Sequence, residues 1–313
     1  MTPGSTLAGH TFRTTGSLGE LALRSLPAGE PVSVFSVDVE DWYHSNFRSA
    51  QAHHDGVGLV RRVEDGVENL LAILAAADAA ATFFVLGCVA RDHPNLVGRI
   101  ARAGHEIGCH GMDHTLVYEQ TPDEFRRSIS EARQLLREQS GQRVLGFRAP
   151  SWSITEKSLW AFEVLADCGF RYDSSVFPAA NYLYGVDDAP TEPYAVAVGD
   201  SEIVELPPSV LKLGPVRFGI GGGFYLRVLP MAVHRYGRRR YANSGAPFLC
   251  YVHPREFDPG AWPLQLDLNF SEAMIHRFRI SRVRERVGAF LSEGRWSSFA
   301  DALADRGWLE EPQ

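Results

Sequence analysis

The stretch VSVFSVDVEDW (32–42) is the starting point for predicting the fold of the chain. An apolar run meets a cluster of acids there, which is typical of a buried strand whose last residues emerge in a loop. After it, segments with helical apolar spacing alternate with short strand-like runs. Helices are predicted at 59–80, 93–104, 121–141 and 155–169, and strands at 81–87, 105–110, 144–150, 170–175 and 247–254. This alternation predicts a parallel sheet wrapped by helices, either open or closed as a barrel.

The regions outside this alternation have a different composition. Residues 1–31 are rich in Gly, Ser and Thr and are interpreted as a lead-in. Pro, Gly and Tyr are frequent in 176–246, which is predicted to be a loop-rich insertion. Within it the run 218–230 is expected to break any helix, with a short helix after Leu229. The tail 271–303 is predicted to form one helix, followed by a final short helix in RWSSFADAL (295–303). The predicted organisation is an N-terminal lead-in (1–31), an α/β domain that includes the insertion (32–270) and a C-terminal helical extension (271–313).

Composition excludes several classes of protein. The 313 residues carry 38 acidic and 31 basic side chains, for a formal charge of −7, so binding to nucleic acid through charge is not expected. Four cysteines without a CxxC pair predict neither a zinc ribbon nor a disulfide framework. No apolar run suits a signal peptide or a transmembrane helix, and we expect a cytoplasmic protein. The sequence carries no indication of oligomeric state.

Ionisable residues cluster where the predicted strands end. Five strands are followed in this way, by Asp38, His110, Arg148, Asp173 and His253. Ligands bind at the carboxyl ends of the strands in α/β barrels and in open α/β sheets. The sequence therefore predicts one polar site at this rim of the sheet.

The segment HGMDH (110–114) is the sharpest local signal in the chain. Two imidazoles four residues apart can face one metal ion if the segment turns helically. Two histidines and one carboxylate form a common catalytic metal set that leaves a position open for water. The same spacing also arises by chance or for packing, so the pair alone does not settle the chemistry.

Each of the other candidates has two interpretations. Asp38 and Glu40 lie on one face of a strand and would repel, so they need a metal ion or an arginine beside them, unless they lie in a solvated loop. Arg148 is either a surface ion pair or the group that holds a buried catalytic acid ionised. His253 is either a buried structural histidine or a general acid, with Asp173 in a position to orient it.

Six motifs in order give the chain a family resemblance. They resemble those of the NodB-type polysaccharide deacetylases, carbohydrate esterase family 4, and especially the branch encoded with exopolysaccharide loci. The resemblance covers about residues 32–305 and implies a distorted (β/α)7-like barrel. The motifs are VDVEDW (37–42), ATFFVLG (81–87), GHEIGCHGMDH (104–114), FRAPSWS (147–153), YDSS (172–175) and YVHP (251–254).

The resemblance implies a metal site and a catalytic base. Asp38 would be the base, held ionised by Arg148, and His110 and His114 would bind the metal. The family usually has an adjacent Asp-Asp pair, and here the sequence is Asp-Val-Glu-Asp. The carboxylate ligand is therefore expected to be Glu40, with Asp41 as the alternative.

The resemblance also implies the remaining roles. The backbone N–H of Ser151 would donate to the oxyanion, His253 would be the general acid and Asp173 would tune it. Because the tryptophan that usually follows the fourth motif is missing, the role of Asp173 is the least constrained. Zn²⁺ is the expected metal, and Co²⁺, Ni²⁺ or Mn²⁺ would also suit the ligand set.

The sequence thus predicts a metal-dependent hydrolase of non-peptide amide bonds that removes an acetyl group from N-acetylated sugar units of a polysaccharide or oligosaccharide. A related amide hydrolase acting on a cyclic imide, a ureide or an N-acyl natural product is the alternative. A non-catalytic sugar-binding protein on an inactive scaffold is the third hypothesis. The Gly-rich run 218–227 lacks the Gly-Lys-Ser/Thr ending of a phosphate loop, and a lid or a turn over the site is expected.

Overall fold

A computed structural model of the chain describes residues 17–44, 59–179, 184–261, 274 and 276–309, together with the backbone of 6–7 and 10–11. The strands are β1 (Thr6–Leu7), β2 (His10–Thr11), β3 (Leu23–Ser25), β4 (Ser33–Val39), β5 (Thr82–Val85), β6 (Glu106–Cys109), β7 (Gly146–Phe147), β8 (Tyr172–Asp173), β9 (Tyr194–Val198), β10 (Ser201–Glu205), β11 (Val210–Leu213), β12 (Val216–Gly219) and β13 (Phe248–Val252). The helices are α1 (Val63–Ala76), α2 (Gly87–Asp92), α3 (Leu96–Arg102), α4 (Pro122–Ser140), α5 (Ala161–Asp167), α6 (Gly223–Val228), α7 (Met231–Ser244), α8 (Pro254–Phe257), α9 (Val283–Leu291) and α10 (Phe299–Ala304).

The main sheet has nine strands in the order β13-β4-β5-β6-β7-β8-β10-β9-β3. Every neighbouring pair from β13 to β10 is parallel, whereas β9 pairs antiparallel with both β10 and β3. The predicted α/β class with a parallel sheet is therefore confirmed. The last parallel strand, β13, lies beside the first, β4, which is the strand order of a (β/α) barrel. Among the strands described, no ladder joins β10 to β13.

The segment predicted to be a loop-rich insertion has more regular structure than expected. It contains β9 to β12, α6 and α7, and it lies against β13. The backbone N–H of Leu249 donates to Ser209 Oγ (2.8 Å), and the N–H of Tyr251 donates to the carbonyl of Gly221 (2.9 Å). A Cβ at Gly221 would lie 2.0 Å from the carbonyl oxygen of Leu249, so only glycine permits this approach. The glycines that suggested a helix-free run thus serve close packing, and α6 begins at Gly223.

The predicted helices form where local signals are complete. Thr121 and Glu124 make a capping box at the start of α4, Pro122 occupies its first turn, and Gly141 ends it with φ +70°. The helix predicted at 155–169 is shorter, because the Ser158 hydroxyl donates to the carbonyl of Ser153 (2.9 Å) in a turn before α5.

Both ends of the chain contribute to this fold. In the lead-in, β3 pairs with β9 through Leu23 and Val196. In the C-terminal extension, a bridge joins Ser297 to Val34 of β4. The helix and the final short helix predicted in the tail correspond to α9 and α10, separated by the segment that carries Trp296. Residues 271–273 and 275 lie outside the described part.

Trp296 anchors the extension in the hydrophobic core. It is 2% exposed, and its ring lies 5.2 Å from Phe290, 5.9 Å from Phe35 and 6.3 Å from Phe248, measured between centroids. The extension therefore packs directly on strands β4 and β13. No helix in the described part of the chain combines the length and the apolar character needed to cross a membrane.

Trp296→Ala should destabilise the protein by about 3–5 kcal/mol, since it opens a large cavity between the extension and the sheet. The measurement is the free energy of unfolding from urea denaturation followed by circular dichroism. Tyr236→Ala, at a side chain that is 59% exposed, is the control and should change stability by less than about 0.5 kcal/mol. A cost as small for Trp296 as for Tyr236 would show that the extension is not part of the core.

Candidate active site

The acids at the end of β4 are separated by a tight turn. The backbone N–H of Glu40 donates to the carbonyl of Asp38 (3.1 Å), which closes a three-residue turn around Val39. Asp38 lies beside Arg148, whereas Glu40 lies beside His114, and all four side chains are buried. The turn thus allows two neighbouring acids to enter different parts of one site.

Glu40, His110 and His114 form a group that could hold a metal ion. Their ligand atoms all lie within 4.8 Å of one another. Glu40 Oε2 is 2.6 Å from His114 Nε2, and the two imidazole rings are 5.6 Å apart at 67°. His110 Nδ1 lies 2.8 Å from the carbonyl oxygen of Arg148. That contact orients the ring with Nε2 as its remaining ligand atom.

The charge states of this group suit a divalent cation. Burial lowers the pKa of His110 to about 4, so the ring is neutral at neutral pH, which is the form that binds metals. Burial disfavours the ionised form of Glu40, but His114, His253 and Arg255 outweigh it and hold the pKa of Glu40 well below its usual range. Two imidazoles and one carboxylate match the donor preferences of Zn²⁺. The residues present therefore fit the metal that the sequence predicted.

Asp41, the alternative carboxylate, has other partners. Its Oδ1 accepts the N–H of Trp42 (2.8 Å), and its Oδ2 accepts those of Arg62 (2.8 Å) and Val63 (3.2 Å). Arg62 and Val63 begin α1, so Asp41 caps this helix from a distant part of the sequence. The structure thus brings Glu40, and not Asp41, to the histidines.

Arg148 forms a buried network around Asp38. Its Nη1 donates to Asp38 Oδ1 (2.7 Å) and to Ser36 Oγ (2.8 Å), while Nη2 donates to Ser174 Oγ (3.1 Å). Arg148 is 1% exposed, and its guanidinium lies 4.3 Å from the centre of the Phe84 ring. Because removal of one partner would leave a buried charge unpaired, the Asp38–Arg148 pair is sensitive to substitution.

The turn after Arg148 has an unusual backbone. Ser151 and Trp152 both have positive φ, +51° and +49°, a conformation that costs a non-glycine residue of order 1–3 kcal/mol. The N–H of Ala149 donates to Ser175 Oγ (2.8 Å), and the Trp152 ring packs 4.4 Å from that of Tyr251. Such strain concentrates at functional sites.

His253 has a carboxylate partner that the sequence analysis missed. Its Nδ1 lies 3.3 Å from Glu256 Oε2, and its backbone N–H donates to the same oxygen (3.0 Å). Arg227 Nε donates to the other oxygen of Glu256 (3.1 Å). Burial opposes ionisation of Glu256, but the hydrogen bond from His253 and the charge of Arg227 lower the pKa of this carboxyl to about 2. The capping-box spacing from His253 to Glu256 was the available signal.

Asp173 lies in a different pair of carboxyl groups. Ser175 Oγ donates to Asp173 Oδ1 (2.5 Å), and Glu205, its register partner on β10, shares a hydrogen bond with it. Both acids are fully buried. Burial raises the pKa of Asp173 to about 6, and burial together with the charge of Asp173 raises the pKa of Glu205 well above its usual range. The carboxylate beside His253 is therefore Glu256, where the sequence analysis expected Asp173.

The Gly-rich run (218–227) packs closely against Glu256. A Cβ at Gly223 would lie 2.0 Å from Glu256 Oε2, so this glycine permits close approach of the start of α6. Residues 219–223 are buried, which favours a packed turn over an open lid. On the other side, a cavity of about 360 Å³ adjoins His114 and is lined by polar side chains that include Tyr43, His44 and Asp113.

Comparison with protein families places two domains along the chain. Residues 54–172 match the family model described as polysaccharide deacetylase. Residues 174–304 match a domain of unknown function, DUF3473. The resemblance to polysaccharide deacetylases drawn from the sequence motifs is therefore confirmed over residues 54–172.

Individual relatives support this assignment. The chain is 37% identical over 96 residues to a peptidoglycan-N-acetylglucosamine deacetylase of Bacillus cereus, an alignment that covers 30% of this chain and 35% of the relative. It is 29% identical over 138 residues to a peptidoglycan deacetylase of Helicobacter pylori, which covers 44% and 43%. The chain thus spans well under half of these curated relatives.

One solved structure matches nearly the whole chain. It comes from Mycobacterium smegmatis and is provisionally named a polysaccharide deacetylase. The similarity has a TM-score of 0.60 at 25% identity and covers 96% of this chain and 99% of the other. The fold is thus shared over both matched domains.

The two matched domains form one site. The boundary between them falls within β8, at Asp173. His110, His114 and Arg148 lie in the first domain, whereas His253 and Glu256 lie in the second. Strand β13 of the second domain pairs with β4, which precedes the first. The domain of unknown function therefore completes the sheet and contributes two residues to the candidate site.

The Asp173–Glu205 pair should make stability depend on pH. Because both folded pKa values are raised, the pair stabilises the fold fully below about pH 4, and the contribution of Asp173 is lost as pH rises through about 6. Free energies of unfolding measured from pH 4 to 7 should fall more steeply for the wild type than for Asp173→Asn/Glu205→Gln. If the free energies of unfolding of the two proteins depend on pH in the same way, the raised pKa values of the Asp173–Glu205 pair are contradicted.

Proposed function

We propose that the protein is a metal-dependent deacetylase that hydrolyses the acetamide of N-acetylated sugar units. The observation that carries this proposal is the juxtaposition of the Glu40–His110–His114 group with Asp38, which is paired with Arg148, and with His253, which is paired with Glu256. A base, an acid and a set of metal ligands thus meet at one end of the sheet. The match of residues 54–172 to the polysaccharide deacetylase family model supports the reaction class.

Glu40, His110 and His114 would hold the cation, for which we propose zinc. When bound, such an ion lowers the pKa of water from about 15.7 towards 7 and polarises the amide oxygen. The contribution of the protein is the ligand set, the orientation of His110 by the Arg148 carbonyl, and the burial of all three side chains.

Asp38 would accept the proton of the attacking water. Arg148 holds one oxygen of its carboxylate, Oδ1, at 2.7 Å, and this contact fixes the carboxylate while leaving Oδ2 as the proton acceptor. The Ser36 and Ser174 hydroxyls hold the guanidinium in turn. General base catalysis requires a carboxylate that is held rigidly in position.

The turn at Ser151 and the residues after β13 would complete the reaction. The strained backbone at Ser151 would present its N–H to the oxyanion, and one such donor is worth about 3 kcal/mol in comparable sites. His253 would donate a proton to the departing amine. We assign the orientation of His253 to Glu256, which contacts its Nδ1, in place of Asp173.

The substrate is proposed from the relatives. The curated matches are named for deacetylation of peptidoglycan and of chitooligosaccharides. We therefore propose an N-acetylated polysaccharide or oligosaccharide as the substrate, with N-acetylglucosamine oligomers as the first to test.

Asp38→Asn should lower kcat for acetate release from N-acetylglucosamine oligomers by about 10²–10⁴-fold, because it removes the general base. Zinc binding should be unchanged, since the three ligands remain. The assay measures released acetate with the zinc-loaded protein, and Asp200→Asn, at an exposed turn, is the matched control with unchanged kcat. Full activity of the Asp38→Asn variant would remove Asp38 as base. Ring opening of a small cyclic imide without acetate release would favour the alternative hydrolase.

His110→Ala should weaken zinc binding by at least about tenfold, since it deletes one of three ligands from the site. Zinc affinity is measured by competition with a chromophoric chelator. His105→Ala, at another buried histidine with no carboxylate beside it in the described contacts, is the control. Equal zinc affinity of the two variants would contradict the proposed ligand set.

A further inference from the structure

The two oxygens of Glu40 face different neighbours. Oε2 lies 2.6 Å from His114 Nε2, whereas Oε1 lies 3.3 Å from Arg255 Nη1 and 3.7 Å from His253 Nε2. The Glu40 side chain is only 4% exposed. A glutamate has three rotatable torsions, so these contacts select which oxygen is directed at the histidines.

Arg255 reaches Glu40 because of the strand order. Glu40 follows β4 and Arg255 follows β13, and the two strands are parallel neighbours, with Val252 opposite Val37. Parallel strands deliver the residues that follow them to the same edge of the sheet. The contact therefore joins the start of the α/β domain to the domain of unknown function.

The other acid close to Arg255 already has its own cation. Glu256 Oε1 accepts from Arg227 Nε at 3.1 Å, and Oε2 contacts His253. The charges of the site thus divide into a Glu256–Arg227 pair and a Glu40–Arg255 pair. Arg255 is therefore not required to neutralise its neighbour in sequence.

We propose that Arg255 is a positioning residue for the metal site: it holds the outer oxygen of Glu40 so that the inner oxygen remains directed at His114. This inference rests on the proposed function, in which Glu40 is a metal ligand. Carboxylate ligands are held by hydrogen bonds from outside the metal shell, and loss of such a partner typically costs about 10–100-fold in affinity. Arg255 contacts Glu40 through one nitrogen of its planar fork of donors, Nη1, in an ion pair of 3.3 Å.

The direction in which zinc affinity changes when Arg255 is replaced separates a positioning role from a purely electrostatic one. A guanidinium near a dication repels it, so removal of the charge alone would tighten metal binding. Removal of a positioning contact would weaken it. Zinc affinity therefore distinguishes the two without reference to activity.

The experiment compares zinc affinities of the full-length protein and its variants by chelator competition. Arg255→Met should weaken zinc binding by about 10–100-fold, and Arg255→Lys, which keeps the charge but not the fork, should weaken it less. The visible absorption spectrum of the Co²⁺-substituted protein should change in Arg255→Met, because the carboxylate ligand is no longer fixed. Arg235→Met, which breaks an exposed pair with Glu293, is the matched control with unchanged affinity.

A double-mutant cycle shows whether Arg255 acts through Glu40. In a Glu40→Ala background, Arg255→Met should change zinc affinity by less than about twofold, since the group that it positions is gone. Circular dichroism verifies the fold, and Arg255→Lys carries the test if the methionine variant does not fold. Zinc binding that is unchanged or tighter in the Arg255 variants, or an equal loss in both backgrounds, would overturn the proposal.

Failure of this inference is distinguishable from failure of the proposed function. Acetate release by the zinc-loaded wild type tests the function, whereas the affinity cycle tests Arg255. If the wild type releases acetate but substitution of Arg255 does not change zinc affinity, only the positioning role is overturned. If the double-mutant cycle gives the expected zinc affinities but the zinc-loaded wild type releases no acetate, the positioning role is supported and the proposed reaction is contradicted.

Discussion

The buried ion pair between Arg148 and Asp38 is the interaction on which the site depends. The Arg148 side chain reaches Ser36 and Asp38 of β4 and Ser174 after β8, and its carbonyl oxygen lies against the His110 ring after β6. One residue thus fixes the relative positions of three strand ends. Because a buried guanidinium without its partners is costly, the strands cannot shift without loss of these contacts. The proposed base and the first histidine ligand are held by the same residue.

The two family matches divide a structure that is physically continuous. The boundary between them lies in β8, and the second match supplies β13, His253 and Glu256. The C-terminal segment also places Trp296 against Phe35 of β4. Strand β13 of the second match pairs with β4, so the domain of unknown function is tied to the rest of the sheet. Its packing and the position of His253 and Glu256 at the candidate site follow from the same strand pairing.

Charge at the site is arranged in pairs. Asp38 has Arg148, Glu256 has Arg227 and Glu40 has Arg255. In each pair the carboxylate is buried, and the guanidinium comes from another part of the fold or, for Arg255, from a neighbouring strand end. Asp173 and Glu205 are the contrast: two buried acids lie beside each other, and burial raises the pKa of both carboxyl groups.

The sequence by itself determined the α/β class, the order of the strand–helix units and the residues that gather at the strand ends. These follow from local periodicity, caps and motif order, as in the Thr121 capping box and the HGMDH segment. It left open whether Glu40 or Asp41 faces the histidines, and it assigned Asp173 to His253. Only the tertiary structure decided these points, because Asp41 is drawn to the start of α1 and Glu256 is brought to His253 by α8. Partners distant in sequence, or hidden in a helix cap, leave no periodic signal in the chain.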